Sequence, residues 1–105
     1  MTTYGKLLTE REFQRQVTEL ARLNGWRVYS IPDSRKATQN GYPDLTLWHA
    51  GKRKFILAEL KTAKGIVSDI QKSVHAELTR CGIAVYVWRP GRWDEIEEVL
   101  GKFPE

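Results

Sequence analysis

Two carboxylates and an amine are spaced in this sequence as hydrolytic chemistry would need them. Asp44 closes the run Gly41-Tyr42-Pro43-Asp44, and Glu59 and Lys61 flank Leu60. Between them lie a short apolar segment, a basic turn of Lys52, Arg53 and Lys54, and a second apolar segment. Residues two apart on a strand share a face, so Glu59 and Lys61 point the same way. A two-residue turn at Gly51-Lys52, glycine first, is of a kind that hairpins favour. It sets Ala50 against Arg53 and, counting back, Asp44 against Glu59. Directly opposed residues have Cβ atoms roughly 4.5–5.5 Å apart. Two carboxylates that close repel each other unless a cation or a proton intervenes. A divalent metal with a lysine beside it would justify the arrangement. The blander alternative is a structural ion pair between Asp44 and Lys61.

The elements that must carry these groups follow from periodicity. Thr9 to Asn24 reads as a helix, with Thr9 as N-cap, Glu12 as its capping-box partner and Gly25 ending it. Phe13, Val17, Leu20 and Ala21 form its apolar stripe, and Glu10, three residues before Phe13, extends that stripe at the N-terminal end. An acid there also suits the helix dipole, so Glu10 has two readings. Trp26 to Ile31 reads as a strand stopped by Pro32. The polar run from Asp33 to Asn40 carries Arg35 and Lys36, either as a solvated loop or as phosphate contacts beside the site. Asp44 to His49 and Phe55 to Lys61 are the next strands, the latter apolar on both faces and so covered on both sides. Ser68 caps a second helix running to about Arg80, with Ile70, Val74 and Leu78 as its stripe and Cys81 in the core. Gln71 stands near its start, either exposed or turned to the site, with His75 one turn on. Ile83 to Trp88 is a fourth strand, and Trp93 to Leu100 a short last helix. The strand–helix–strand unit from Phe55 to Trp88 should be a right-handed parallel crossover. His49 and His75 read as bystanders, His75 being the better candidate for the site's edge, and the tryptophans read as packing.

Composition narrows the class. At 105 residues the expectation is one domain, 1–105, with a single core. The 41% hydrophobic and 29% charged fractions are those of a globular protein. No apolar run reaches a membrane span, Met1 to Lys6 has no signal-peptide core, and a lone cysteine excludes an internal disulfide and a cysteine-cluster zinc site. An intracellular, non-membrane protein is expected. A net charge of +4 mildly favours a polyanionic partner.

Pro43-Asp44 followed by Glu59-Leu60-Lys61 resembles the PD-(D/E)XK nuclease signature. With Glu10, Gly41-Tyr42, Gln71, Gly25-Trp26 and Trp88-Arg89-Pro90, the chain looks like a stand-alone VRR-NUC domain over about residues 9 to 100, a type with minimal members in phages and bacteria. The resemblance implies an α/β fold: an αβββαβ restriction-endonuclease-like core, its mixed sheet flanked by helices, here with a short C-terminal helix. It implies that Asp44, Glu59 and the Leu60 carbonyl bind Mg²⁺ or Mn²⁺, with Glu10 assisting directly or through water. Lys61 would orient the attacking water and Gln71 would support the site. The implied activity is structure-selective cleavage of DNA, with Holliday-junction resolution by a homodimer leading, in the cytoplasm of a bacterial or phage-infected cell. Arg35, Lys36, Lys64 and Lys72 flank the site as candidate DNA contacts. Trp93 and Ile66-Val67 are places where a second copy could cover apolar surface. The competing readings are a nucleic-acid-binding module of the same fold that does not cut, and an interaction domain with an incidental ion cluster.

Overall fold

A computed structural model of the chain describes residues 8–31 and 40–103. The elements are α1 (Glu10–Leu23), β1 (Arg27–Ser30), β2 (Leu45–His49), β3 (Lys54–Leu60), α2 (Asp69–Arg80), β4 (Ala84–Trp88), a single 3₁₀ turn (Pro90–Arg92) and α3 (Trp93–Leu100). The four strands form one sheet in the order β1-β2-β3-β4. The first two pairings are antiparallel, and β4 joins β3 in parallel after the α2 crossover. The result is a mixed sheet flanked by helices, of α/β class.

Register sorts the side chains into two faces. Val28, Leu47, Ile56 and Ala84 lie in one cross-strand row, and Ser30, Leu45, Ala58 and Tyr86 in the next. On this face Leu45, Leu47, Ile56, Ala58 and Leu60 pack with Phe13, Val17, Leu20 and Ala21 of α1 and with Ile96 and Leu100 of α3. Phe13 is wholly buried; truncating a core aromatic to alanine typically costs ~3–5 kcal/mol. The Trp26 indole N–H donates to the Leu100 carbonyl (3.1 Å), tying the start of β1 to the end of α3. The opposite face carries Leu57 and Glu59, which are buried, and α2 lies against its β4 side.

Local signals set the helix starts. Thr9 and Glu12 close a capping box on α1, and Ser68 and Gln71 close another on α2. Asn24 is the C-cap of α1, and Gly25 follows at φ 88°, a left-handed turn that glycine adopts without strain.

Four expectations change. The β2–β3 loop is not a glycine-first two-residue turn. It has four residues, Ala50 to Arg53, between the last pair His49 and Lys54. The Arg53 N–H donates to the Ala50 carbonyl (3.1 Å), and Arg53, at φ 56°, takes the left-handed position instead of Gly51. The register survives because the loop is symmetric about the same centre. Ile70 is 55% exposed, so Val74 alone in α2 is buried. Cys81 is exposed at the helix C-cap and is not core. Trp93 packs on the core within the chain, so it is not free surface for a partner.

Candidate active site

β2 and β3 set the two carboxylates side by side. The β2–β3 register pairs Leu45 with Ala58, so one more step along the hairpin brings Asp44 opposite Glu59. Asp44 Oδ2 accepts the Leu60 N–H at 2.8 Å, extending the β2–β3 ladder by a side-chain rung. N–H and C=O of an extended residue point to the same strand edge, so the Leu60 carbonyl opens toward Asp44. The Lys61 N–H donates the other way, to the Trp88 carbonyl on β4 (3.0 Å).

The approach to Asp44 depends on a glycine. Gly41 has φ +88°, and a Cβ there would sit 2.9 Å from both the Ile70 side chain and the Ile70 carbonyl. Only a residue without a side chain lets the Gly41–Pro43 segment pass so close to α2. Ile70 therefore serves this passage while standing half in solvent.

Glu59 is 1% exposed, the one charged residue buried among those described. Gln71 Nε2 donates to its Oε2 at 2.8 Å, and the Lys61 ammonium lies 3.7 Å from the same oxygen. Gln71 is held in turn, because its Oε1 accepts the Ser68 N–H at 2.9 Å. One side chain thus closes the capping box and grips the buried carboxylate. Glu59 Oε1 has no hydrogen-bond partner among the described residues, nor has His75 Nε2, 3.7 Å away. Burial above all, and then the Asp44 charge, push the Glu59 pKa up to about 8, with Lys61 pulling it down and a side-chain hydrogen bond with Asp44 and then the Glu10 charge adding to the rise. Without a cation, Glu59 is largely protonated at neutral pH.

Glu10 is exposed and does not continue the buried stripe. It stands at the N-terminus of α1 and still lines a cleft of about 340 Å³ with Asp44, Glu59, Lys61 and Gln71. Among the described residues, no three or more His, Cys, Asp or Glu side chains group closely enough to hold a metal ion, so Asp44 and Glu59 are the carboxylate pair without Glu10. That donor set fits Mg²⁺ or Mn²⁺, which keep several waters and take one or two carboxylates. A buried carboxylate oxygen without a partner, facing a second carboxylate, is the feature a hard cation would satisfy.

Arg89 steadies the chain after Lys61. Its Nη1 donates to the Thr62 and Gly65 carbonyls at 2.9 and 2.7 Å, fixing the loop that leads into α2. Lys64 and Lys72 are exposed and lie outside the cleft wall. Arg35 and Lys36 lie outside the described residues. A broader cleft of about 940 Å³ runs from Glu10 and Asp44 along α1 past Arg11, Arg15 and Arg22. Sequence reading overlooked these arginines, although their spacing of four and seven already puts them on one helix face. His49 stays away from the site. Its Nδ1 accepts the Lys52 N–H (3.2 Å), which leaves Nε2–H to donate to the Asn24 carbonyl (3.1 Å).

No helix among the described residues is long and apolar enough to cross a membrane. No curated protein and no solved structure matches the chain. The VRR-NUC domain model does match it, over residues 7–90. That span takes in α1, the hairpin with both carboxylates, the lysine, α2 and Arg89. The chain belongs to the VRR-NUC domain family, a family of nuclease type.

Proposed function

We propose that this chain is a Mg²⁺- or Mn²⁺-dependent endodeoxyribonuclease acting on branched DNA, with Holliday-junction resolution as its leading activity. The observation that carries the reading is the buried Glu59 carboxylate, set opposite Asp44 with one oxygen lacking a hydrogen-bond partner among the described residues. A pure binding module has no need for that costly pair.

The residues divide the work. Asp44, Glu59 and the Leu60 carbonyl would hold the cation, and Glu10 would reach it through water. A bound divalent ion supplies a more acidic water and neutralises charge on the phosphate. Lys61 orients the attacking water and stabilises negative charge on the phosphate oxygens as the new P–O bond forms. The attacking water gives a proton up to solvent, the old ester P–O bond breaks, and the leaving oxygen takes a proton from solvent. Gln71 keeps the Glu59 carboxylate in place throughout. The DNA backbone follows Arg11, Arg15 and Arg22 toward Asp44, with Lys64 and Lys72 as outer contacts, joined by Arg35 and Lys36.

Paired cuts in a junction need two sites related by a two-fold axis, which a homodimer of this one-domain chain provides. The surface for it is the part of the Glu59-side sheet face beyond α2. There Tyr29, Trp48 and Phe55 are 59, 38 and 50% exposed. Ile66, 81% exposed, is a second point of contact.

The test is cleavage of a four-way junction, a flap, a duplex and a single strand side by side, with Mg²⁺, Mn²⁺ or EDTA, alongside sedimentation. Paired nicks in the junction by a dimer, abolished by EDTA, are expected. Binding without cutting in either metal overturns the enzymatic reading. A monomer that makes paired cuts excludes the symmetric mechanism.

A further inference from the structure

Glu59 Oε1 and His75 Nε2 face each other 3.7 Å apart, and neither has another hydrogen-bond partner among the described residues. That separation is too long for a hydrogen bond, yet a movement of about 0.7 Å would make one. Two orphaned polar atoms side by side in a protein interior are costly unless some state of the molecule joins them. His75 follows Gln71 by one helical turn, so both project from α2 onto the same face. Gln71 already donates to the other oxygen, Oε2, at 2.8 Å.

We propose that His75 is a positioning residue: its Nε2–H donates to Glu59 Oε1 while Gln71 donates to Oε2, so that α2 grips both oxygens and aims the carboxylate at Asp44. This rests on reading Asp44 and Glu59 as the cation-binding pair. Asp44 and Glu59 would hold the cation, and a small shift of the ionised Glu59 carboxylate toward α2 would close the gap. The imidazole is a donor here, not a ligand. Its place on α2, one turn beyond Gln71 and facing Oε1, is what suits it to donate. The outer partners of metal-binding carboxylates commonly set affinity in this way, and losing one typically costs about 10–100-fold.

The experiment titrates the full chain with Mn²⁺ alone by calorimetry, as wild type, His75→Leu and His75→Gln. The glutamine amide nitrogen can occupy the place of Nε2 and donate from there. His75→Leu should bind Mn²⁺ about 10–100-fold more weakly, with a melting temperature in EDTA equal to or above that of wild type. His75→Gln should recover most of the affinity. Equal affinity for wild type and His75→Leu overturns the role, as does a His75→Gln that binds no better than His75→Leu. A wild type that takes up no Mn²⁺ overturns the cation site itself, and this proposal with it. Should His75→Leu not fold, ¹⁵N spectra of the wild-type chain with Mg²⁺ still decide. The Nε2–H tautomer is expected, and Nδ1–H overturns the proposal. In Mn²⁺-loaded wild type, hyperfine coupling to a ring nitrogen would make His75 a ligand and likewise overturn it.

Discussion

His49 and His75 mark opposite ends of the β2–β3 hairpin, one at the loop and one beside the open end. At the loop, His49 uses both ring nitrogens, pinning the turn to the end of α1. Its ring also meets the Trp26 indole edge-on, 5.5 Å between centroids. At the open end, His75 Nε2 has no hydrogen-bond partner among the described residues and faces a carboxylate oxygen that also lacks one there. The ends lie about 20 Å apart along β3. One end is assembled for stability, whereas the other keeps a buried acid, a second acid and unsatisfied atoms that stability alone would not select. The difference supports the proposal that function lies at the end where the fold is least content.

Substitution at each end is the sharpest way to break that contrast. Asp44→Ala should lower cleavage by about 10³-fold or more, since it removes both the proposed cation ligand and the rung that seats Leu60. Melting in EDTA should fall only slightly, since the main structural loss is the Leu60 N–H bond, worth about 1 kcal/mol. His49→Ala should do the reverse. Losing two hydrogen bonds and an aromatic contact should cost on the order of 1–3 kcal/mol while leaving cleavage unchanged. Normal cleavage by Asp44→Ala in Mg²⁺ would remove the assignment of the open end.

Next in size is Lys61→Ala, expected to lose about 10²-fold in turnover yet still bind Mn²⁺. The ammonium is placed for charge, 3.7 Å from Glu59 Oε2, and is not a cation ligand. Lys61→Arg should rescue only in part, because a planar guanidinium is not a compact point charge. Loss of metal binding in Lys61→Ala would instead assign the lysine to structure.

The open end should also be visible in stability without any activity measurement. In the folded chain Glu59 holds its proton up to about pH 8, against 4.5 for the ordinary group. The folded state therefore binds more protons between those values. Its stability is full below about 4.5 and falls as pH rises through 8, by an amount on the order of a few kcal/mol. Glu59→Gln should flatten this dependence in EDTA, and Mg²⁺ should reverse it above pH 7 by favouring the ionised form. Urea melts from pH 5 to 8.5 on both proteins measure it; parallel curves would show that burial does not control this carboxylate.

Much of this contrast is legible in the sequence. The α1 capping box, the Ser68 N-cap, the α1 stripe and the Asp44–Glu59 register all rest on short-range rules, and local chemistry satisfies them in the fold, where Gln71 completes a second box that the sequence reading did not assign. The register came through a wrong turn, because four loop residues and two share a centre. Ile70 and Cys81 were misplaced for a different reason. A periodic stripe shows which helix face turns inward but not how far the sheet beneath it extends, and α2 covers only part of this one. The pairing of His75 with Glu59 joins residues sixteen apart on different elements, and no periodicity reports such a contact. The arginines of α1 were visible as a spacing but had no meaning until the cleft gave them a direction.

The smallest expected effect separates two acids of one helical turn. Glu12 closes the α1 capping box, its Oε1 accepting the Thr9 N–H at 2.9 Å. Glu10 stands on the rim of the cleft and adds to the raised pKa of Glu59. Glu12→Gln keeps an acceptor and forfeits only part of a cap worth about 1 kcal/mol, so cleavage should stay at the wild-type level with a slightly lower melting temperature. Glu10→Gln keeps the helix but removes a negative charge that would draw in a water-bridged cation, so cleavage at limiting Mg²⁺ should fall several-fold, about 1 kcal/mol, and recover at saturating metal. Because Glu10 is exposed, solvent screens its charge, and the loss should shrink further at high salt. Measuring initial rates for both variants across a Mg²⁺ titration tests the assignment. If Glu12→Gln shows the metal-dependent loss and Glu10→Gln does not, the first-helix acid serving the site has been misidentified, and the open end of the hairpin works with Asp44 and Glu59 alone.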